Sequence, residues 1–218
     1  MKFFKIAVFT CLITILSTSL SFASEKSSIT PEEALNKLLE GNQHFIKNEM
    51  THPDESFERR SELKKGQHPF VVILSCSDSR VPPEIIFDQG LGDIFEVRVA
   101  GNVLDDKIIG SIEYAVEHTG APLIMVLGHE NCGAVEAAVK HVKEAHITSI
   151  LKEIEPAVKM ARHQQGDVLD NAVRNNVFLV VDALKNSNPI ISKHIKNGDV
   201  KIVGAYYDLD TGRVEIIK

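Results

Sequence analysis

The chain has 218 residues, 25% of them charged and 44% hydrophobic, with a net charge of −6. This balance suits one globular domain with a sizeable core. The acidic balance argues against nucleic acid as a partner, because phosphate binding needs a basic face, and against an anionic membrane surface.

Residues 1–23 read as a secretory signal. Lys2 and Lys5 form a basic start, Ile6 to Leu16 an apolar core, and Ser21-Phe22-Ala23 sets small residues before a cut at Ser24. The apolar run is shorter than the ~20 residues a membrane span needs. The expectation is a signal peptide over 1–23, cleavage after Ala23, a single domain over 24–218, a periplasmic location, and no membrane attachment after cleavage.

Thr30-Pro31-Glu32-Glu33 opens a helix, with Thr30 as cap, proline in the first turn and Glu33 closing a capping box. Its apolar stripe, Ala34, Leu38, Leu39 and Phe45, has no evident partner nearby, so another subunit is the expected cover. Residues 56–65 predict a short charged helix closed by Gly66, and 70–75 a buried strand. Pro83 starts a short helix to Phe87, and Ile94 to Val99 is the second strand, followed by a loop at 100–102. Asp105 or Asp106 caps a helix with Ile108, Ile109, Ile112, Ala115 and Val116 on one face and Gly120 at its end.

Residues 122–127 form the third strand, after which Gly128 turns the chain into a helix from Asn131 to His146. Helices at 148–163, 167–185 and 188–196 follow, then a strand at 200–207, a hairpin turn at 208–212 and a last strand at 213–217. The alternation predicts an α/β fold: a mostly parallel central sheet of about four strands plus an antiparallel edge strand, flanked by helices, with an N-terminal helical arm.

Two stretches carry chemistry. Ser75-Cys76-Ser77-Asp78-Ser79-Arg80 follows one apolar run, and Gly128-His129-Glu130-Asn131-Cys132-Gly133 follows another. Buried parallel strands deliver both to one sheet edge, where active sites of open α/β sheets lie. Cys11 leaves with the signal, so the mature chain keeps Cys76 and Cys132. Two cysteines in an exported protein suggest a disulfide. Their neighbours, Asp78 and His129, suggest a metal instead. Two thiolates and an imidazole suit zinc, with Asp78 available as a fourth ligand. Four protein ligands make a structural site and three leave it open for catalysis. Arg80 separates the two, because a guanidinium two residues from Asp78 can grip its carboxylate and keep it off the metal.

Cys76-Ser77-Asp78-Ser79-Arg80, with Arg98-Val99-Ala100-Gly101-Asn102, Glu113-Tyr114-Ala115-Val116 and Gly128-His129-x-x-Cys132-Gly133, resembles the β-class carbonic anhydrases. The resemblance runs from about residue 30 to Lys218. It implies one Zn2+ per chain on Cys76, His129 and Cys132, with Asp78 joining only in a closed form. It implies Asp78 and Arg80 as the catalytic pair, Gln67 and the Gly133 N–H as contacts to bicarbonate, and Phe95, Ala100 and Tyr114 as the apolar pocket for CO2. The implied reaction is reversible hydration of CO2 to bicarbonate and a proton, by a zinc-bound hydroxide that the pair orients.

The resemblance also implies a homo-oligomer, a dimer or a tetramer, with the N-terminal helix packed across the dimer. Arg98 and Tyr207 match two members of an inhibitory bicarbonate site whose third member is a tryptophan, and the chain has none. The Asp78–Arg80 pair is therefore expected to stay intact near neutral pH. His68 and His118 are candidates for carrying the proton only because they titrate. Two alternatives share these residues: a closed zinc-storage or structural site, and a relative that hydrolyses CS2 or COS.

Overall fold

The computed structural model describes residues 29–187 and 189–217. The expected signal segment, residues 1–23, lies outside them. Strands β1 (Val71–Ser75), β2 (Ile94–Arg98), β3 (Leu123–His129), β4 (Lys201–Tyr207) and β5 (Val214–Ile217) form one sheet in the order β2-β1-β3-β4-β5. All pairings are parallel except β4 with β5. This is the mostly parallel sheet with an antiparallel edge that the strand–helix alternation predicts.

Every residue of β1 and of β3 is buried, as central strands covered on both faces require. Their side chains alternate between two layers. Val71, Ile73, Leu123, Met125 and Leu127 meet α1 (Pro31–Lys47) and α3 (Pro83–Ile86) on one face. Val72, Leu74, Ile124 and Val126 meet α4 (Asp106–Tyr114) and the later helix α7 (Val168–Lys185) on the other. The remaining helices are α2 (Phe57–Leu63), α5 (Gly133–Val139), α6 (Ile147–Ala161) and α8 (Ile190–Lys196). Among the described residues no helix is long and apolar enough to cross a membrane.

Three expectations change. Much of the α1 stripe is covered by its own chain: Ala34 and Leu38 are fully buried in the cluster that includes Phe70, Ile86 and Phe87, and Phe45 packs against it, while Leu39 stays half-exposed. Asn42 bolts α1 down, donating to the carbonyls of Ile86 at 3.2 Å and Gly212 at 2.9 Å and accepting from Val214 N–H at 2.9 Å. These partners lie 44 to 172 residues away in sequence, so local pattern does not reveal them.

The strand expected to end at 127 continues through Gly128 and His129, which pair with Tyr206 and Tyr207 of β4. Gly128 serves packing rather than a turn: a Cβ there would lie 2.5 Å from Val177 Cγ2. The helix expected over 131–146 shrinks to α5. His141 takes a φ of 54°, and Val142 N–H bonds the Ala137 carbonyl at 3.0 Å while His141 N–H bonds that of Ala138 at 3.1 Å. That double closure is a Schellman stop. Arg162, just past α6, donates to the freed Val139 carbonyl at 2.9 Å.

Candidate metal centre and active site

β1 and β3 are parallel neighbours, with Ser75 opposite Leu127. Cys76, one residue past β1, and His129, at the end of β3, therefore emerge at the same sheet edge. Cys132 caps α5 a few residues later. The ligand atoms of Cys76, His129 and Cys132 all lie within 4.8 Å of one another, and all three residues are buried. Both cysteines are free thiols, their sulfurs 4.0 Å apart.

His129 is fully buried, and its Nδ1 lies 2.8 Å from the carbonyl of Glu130. A carbonyl only accepts, so Nδ1 carries the proton and Nε2 holds a bare lone pair. Nε2 has no hydrogen-bond partner among the described residues. A buried imidazole nitrogen left open beside two thiols, its other nitrogen fixed by a backbone carbonyl, is the arrangement of a metal ligand with its outer support. The donor set fits zinc. Between the thiols, the contact with Cys132 favours the thiolate at Cys76, and the same contact with burial pushes Cys132 up.

Asp78 is not in that cluster. Arg80 grips it in a fork, Nε to Oδ1 at 3.0 Å and Nη2 to Oδ2 at 2.8 Å. Its Oδ2 stands 3.9 Å from His129 Nε2. The pairing with Arg80 holds the Asp78 carboxyl well below the usual carboxylate range. Arg98, on the last residue of β2, donates to the carbonyls of Cys76 and Asp78 and so clamps the loop between them.

The carbonic anhydrase family profile matches residues 71–214. The chain belongs to the β-class carbonic anhydrases. Carbonic anhydrase 2 of Mycobacterium tuberculosis is 42% identical over 188 residues, covering 84% of this chain and 91% of that protein. The β-carbonic anhydrase CcaA is similar in structure, with a TM-score of 0.69 and 27% identity over 84% of this chain and 95% of that one. A chain of the tetrameric β-carbonic anhydrases from Sordaria macrospora gives a TM-score of 0.68 at 24% identity, over 85% of this chain and 97% of that one, a likeness of fold.

In this carbonic anhydrase the residues expected to form the substrate pocket fall into two groups. Ala100 lies in the short turn at 100–102, next to Gly101, whose N–H reaches Cys76 Sγ at 3.3 Å. Gly133 starts α5 in the open, where a Cβ would meet none of the described atoms within 4 Å. Both therefore stand at the metal edge. Gln67 does not: it is exposed ahead of β1, and β1 alone puts ~16 Å between it and the cysteine. Phe95 pairs with Val72, ~10 Å back along the strand from Ser75. Tyr114 is 52% exposed, with its ring 6.2 Å from that of Phe95.

Within one chain of this carbonic anhydrase the expected pocket is thus split between opposite ends of the sheet. The cause is connectivity: β1 and β2 begin at the end where Gln67 and Phe95 lie and run to the end where Cys76 and Ala100 emerge. Two residues escaped the sequence reading as supports of the site. Arg98 entered within a family motif and as part of an inhibitory site, not as a support of the metal loop, and Asn176 not at all. The one signal for Asn176 is a polar residue on an otherwise apolar helix face.

Proposed function

We propose that this chain catalyses the reversible hydration of CO2 to bicarbonate and a proton, with zinc held by Cys76, His129 and Cys132. One observation carries the reading: the bare, buried Nε2 of His129 beside two free thiols, next to a carboxylate already taken by Arg80. Zinc bound there supplies a Lewis acid that makes a nucleophile of water.

The chain's own residues do the rest. Asp78, kept ionised by Arg80, retains lone pairs beyond those that Arg80 uses. It accepts a hydrogen bond from the attacking water and so aims the water's lone pair at the carbon of CO2, and the proton released on hydration passes to solvent buffer. The Gly133 N–H, in the open first turn of α5, donates to a substrate oxygen that gains negative charge. Ala100 offers a small apolar wall beside the metal edge.

Gln67, Phe95 and Tyr114 act from a second copy of the chain. Their place at the far end of the sheet supports this, with Gln67 and Tyr114 exposed and Phe95 half-buried beneath Tyr114, as does the tetrameric assembly of the relatives from Sordaria macrospora. The first 23 residues act as a signal that exports the protein to the periplasm. A closed storage site is disfavoured, because Asp78 has both oxygens engaged by Arg80.

A pH-indicator assay of CO2 hydration, run beside metal analysis of the purified protein, tests the reading. The expected result is one zinc per chain and rapid hydration that a chelator abolishes. Zinc without hydration supports storage, and turnover of CS2 or COS in preference to CO2 assigns the site to another substrate.

A further inference from the structure

Helix α7 turns an apolar face inward, with Ala172, Val173, Val177, Val180 and Val181 all buried. Asn176 interrupts that face and is only 3% exposed. A buried carboxamide costs free energy unless it is hydrogen-bonded. Its Nδ2 donates to the carbonyl of Gly101 at 2.9 Å. Gly101 in turn donates its N–H to Cys76 Sγ at 3.3 Å.

The turn between them is held in an uncommon shape. Gly101 and Asn102 both have positive φ, 69° and 42°. A Cβ on Gly101 would lie 2.7 Å from Ile154 Cδ1 and 3.2 Å from Ala134 Cβ, so only glycine brings this peptide so near the sulfur. Backbone of this kind persists when its surroundings over-determine it. Asn176 is the side chain placed to do so.

We propose that Asn176 is a positioning residue of the metal centre, holding the 100–102 turn so that the Gly101 N–H stays on the Cys76 sulfur. The inference rests on zinc being bound by Cys76, His129 and Cys132. An N–H on a thiolate draws charge from the sulfur and fixes its direction, as outer-shell partners of metal ligands do. Two thiolates offset the charge of zinc and blunt its Lewis acidity. A hydrogen bond on one of them returns part of that acidity without changing the ligand set.

The test uses the purified protein loaded with Zn2+ or with Co2+. Asn176→Ala is expected to weaken zinc about tenfold in competition with a chelator. It is also expected to move the thiolate-to-cobalt charge-transfer band to longer wavelength, because the sulfur regains charge. Asn176→Ser, too short to reach Gly101, gives the same direction if the alanine variant fails to fold.

Asn175→Ala is the control. Asn175 lies on the same helix and is 8% exposed, but its side chain bonds Gln164 and the Ala157 carbonyl. Its loss is expected to lower Tm and leave zinc affinity and the cobalt band in place. Asn176 variants that match wild type in both readouts overturn the proposal, as does an Asn175→Ala that moves the band equally. Wild-type protein that takes up no stoichiometric metal, or keeps it after Cys76→Ala, overturns the zinc reading and with it the role of Asn176.

Discussion

The Arg80 guanidinium holds both oxygens of Asp78, at 3.0 and 2.8 Å, and the Arg80 backbone N–H adds a third bond to Oδ1 at 2.9 Å. The same Nη2 reaches the carbonyl of Asn131 at 3.2 Å, tying the pair to the turn between His129 and Cys132. Arg80→Ala releases the carboxylate beside His129. The expected outcome is zinc content unchanged and kcat/KM for CO2 lowered at least ~100-fold, the range of a lost acid–base group. Stopped-flow assays and metal analysis read the two quantities. More than about a tenth of wild-type activity would remove the pair from the mechanism.

Cys76 and Cys132 are buried free thiols in one cluster. In zinc-loaded protein neither is expected to react with a thiol reagent. After chelation both react and hydration stops; added zinc restores hydration to chelated protein kept from the reagent, and not to protein whose thiols have reacted. A disulfide between them in active protein would contradict the metal site, and mass spectrometry after alkylation detects one directly.

The separation of Gln67 from the metal edge calls for mixed assemblies. Chains carrying Gln67→Ala and chains carrying His129→Ala are each expected to be nearly inactive alone. Assembled together, a Gln67 from one chain meets an intact metal cluster in the other, and part of the activity returns. Purified mixed assemblies with no gain over either parent would show that the second copy does not complete the site.

Asp88 is 3% exposed and accepts from Thr51 N–H at 2.8 Å, Thr51 hydroxyl at 2.9 Å and His52 N–H at 3.0 Å, with His44 Nδ1 at 3.1 Å. Burial pushes its carboxyl up, but these partners outweigh burial and hold it below the usual range. A folded value below the unfolded ~3.9 means that the stabilisation is complete above that pH and fades as pH falls through the folded value. Asp88→Asn is therefore expected to cost about 1–3 kcal/mol at pH 7, with the gap to wild type narrowing below about pH 4. Denaturant titrations at neutral and acid pH measure the gap, and a gap that widens in acid refutes the assignment.

Much of the architecture is legible in the amino-acid sequence. Thr30 with Glu33 reads as a helix cap and acts as one, and of the two candidates Asp105 and Asp106 it is Asp105 that caps. The apolar runs before Cys76 and His129 read as buried strands, because a central strand needs apolar residues on both faces. The stop of α5 at Val139 was not legible, since nothing around His141 marks a positive φ. Nor was the cover of α1, which comes from Phe70, Ile86 and Phe87 and from the β4–β5 hairpin at Gly212 and Val214.

The amino-acid order alone settles which donor atoms exist and which strand each follows: thiols at Cys76 and Cys132, an imidazole at His129, a carboxylate and a guanidinium two residues apart. Only the folded chain settles which of these groups meet. The metal edge closes because β1 and β3 are hydrogen-bonded neighbours, and Gln67, Phe95 and Tyr114 stay away because those same strands run from one end of the sheet to the other. Gly101 reaches the sulfur because Asn176, 75 residues on, holds its carbonyl. Spacing is a local property of the chain, whereas these distances are set by packing between segments that no local pattern connects.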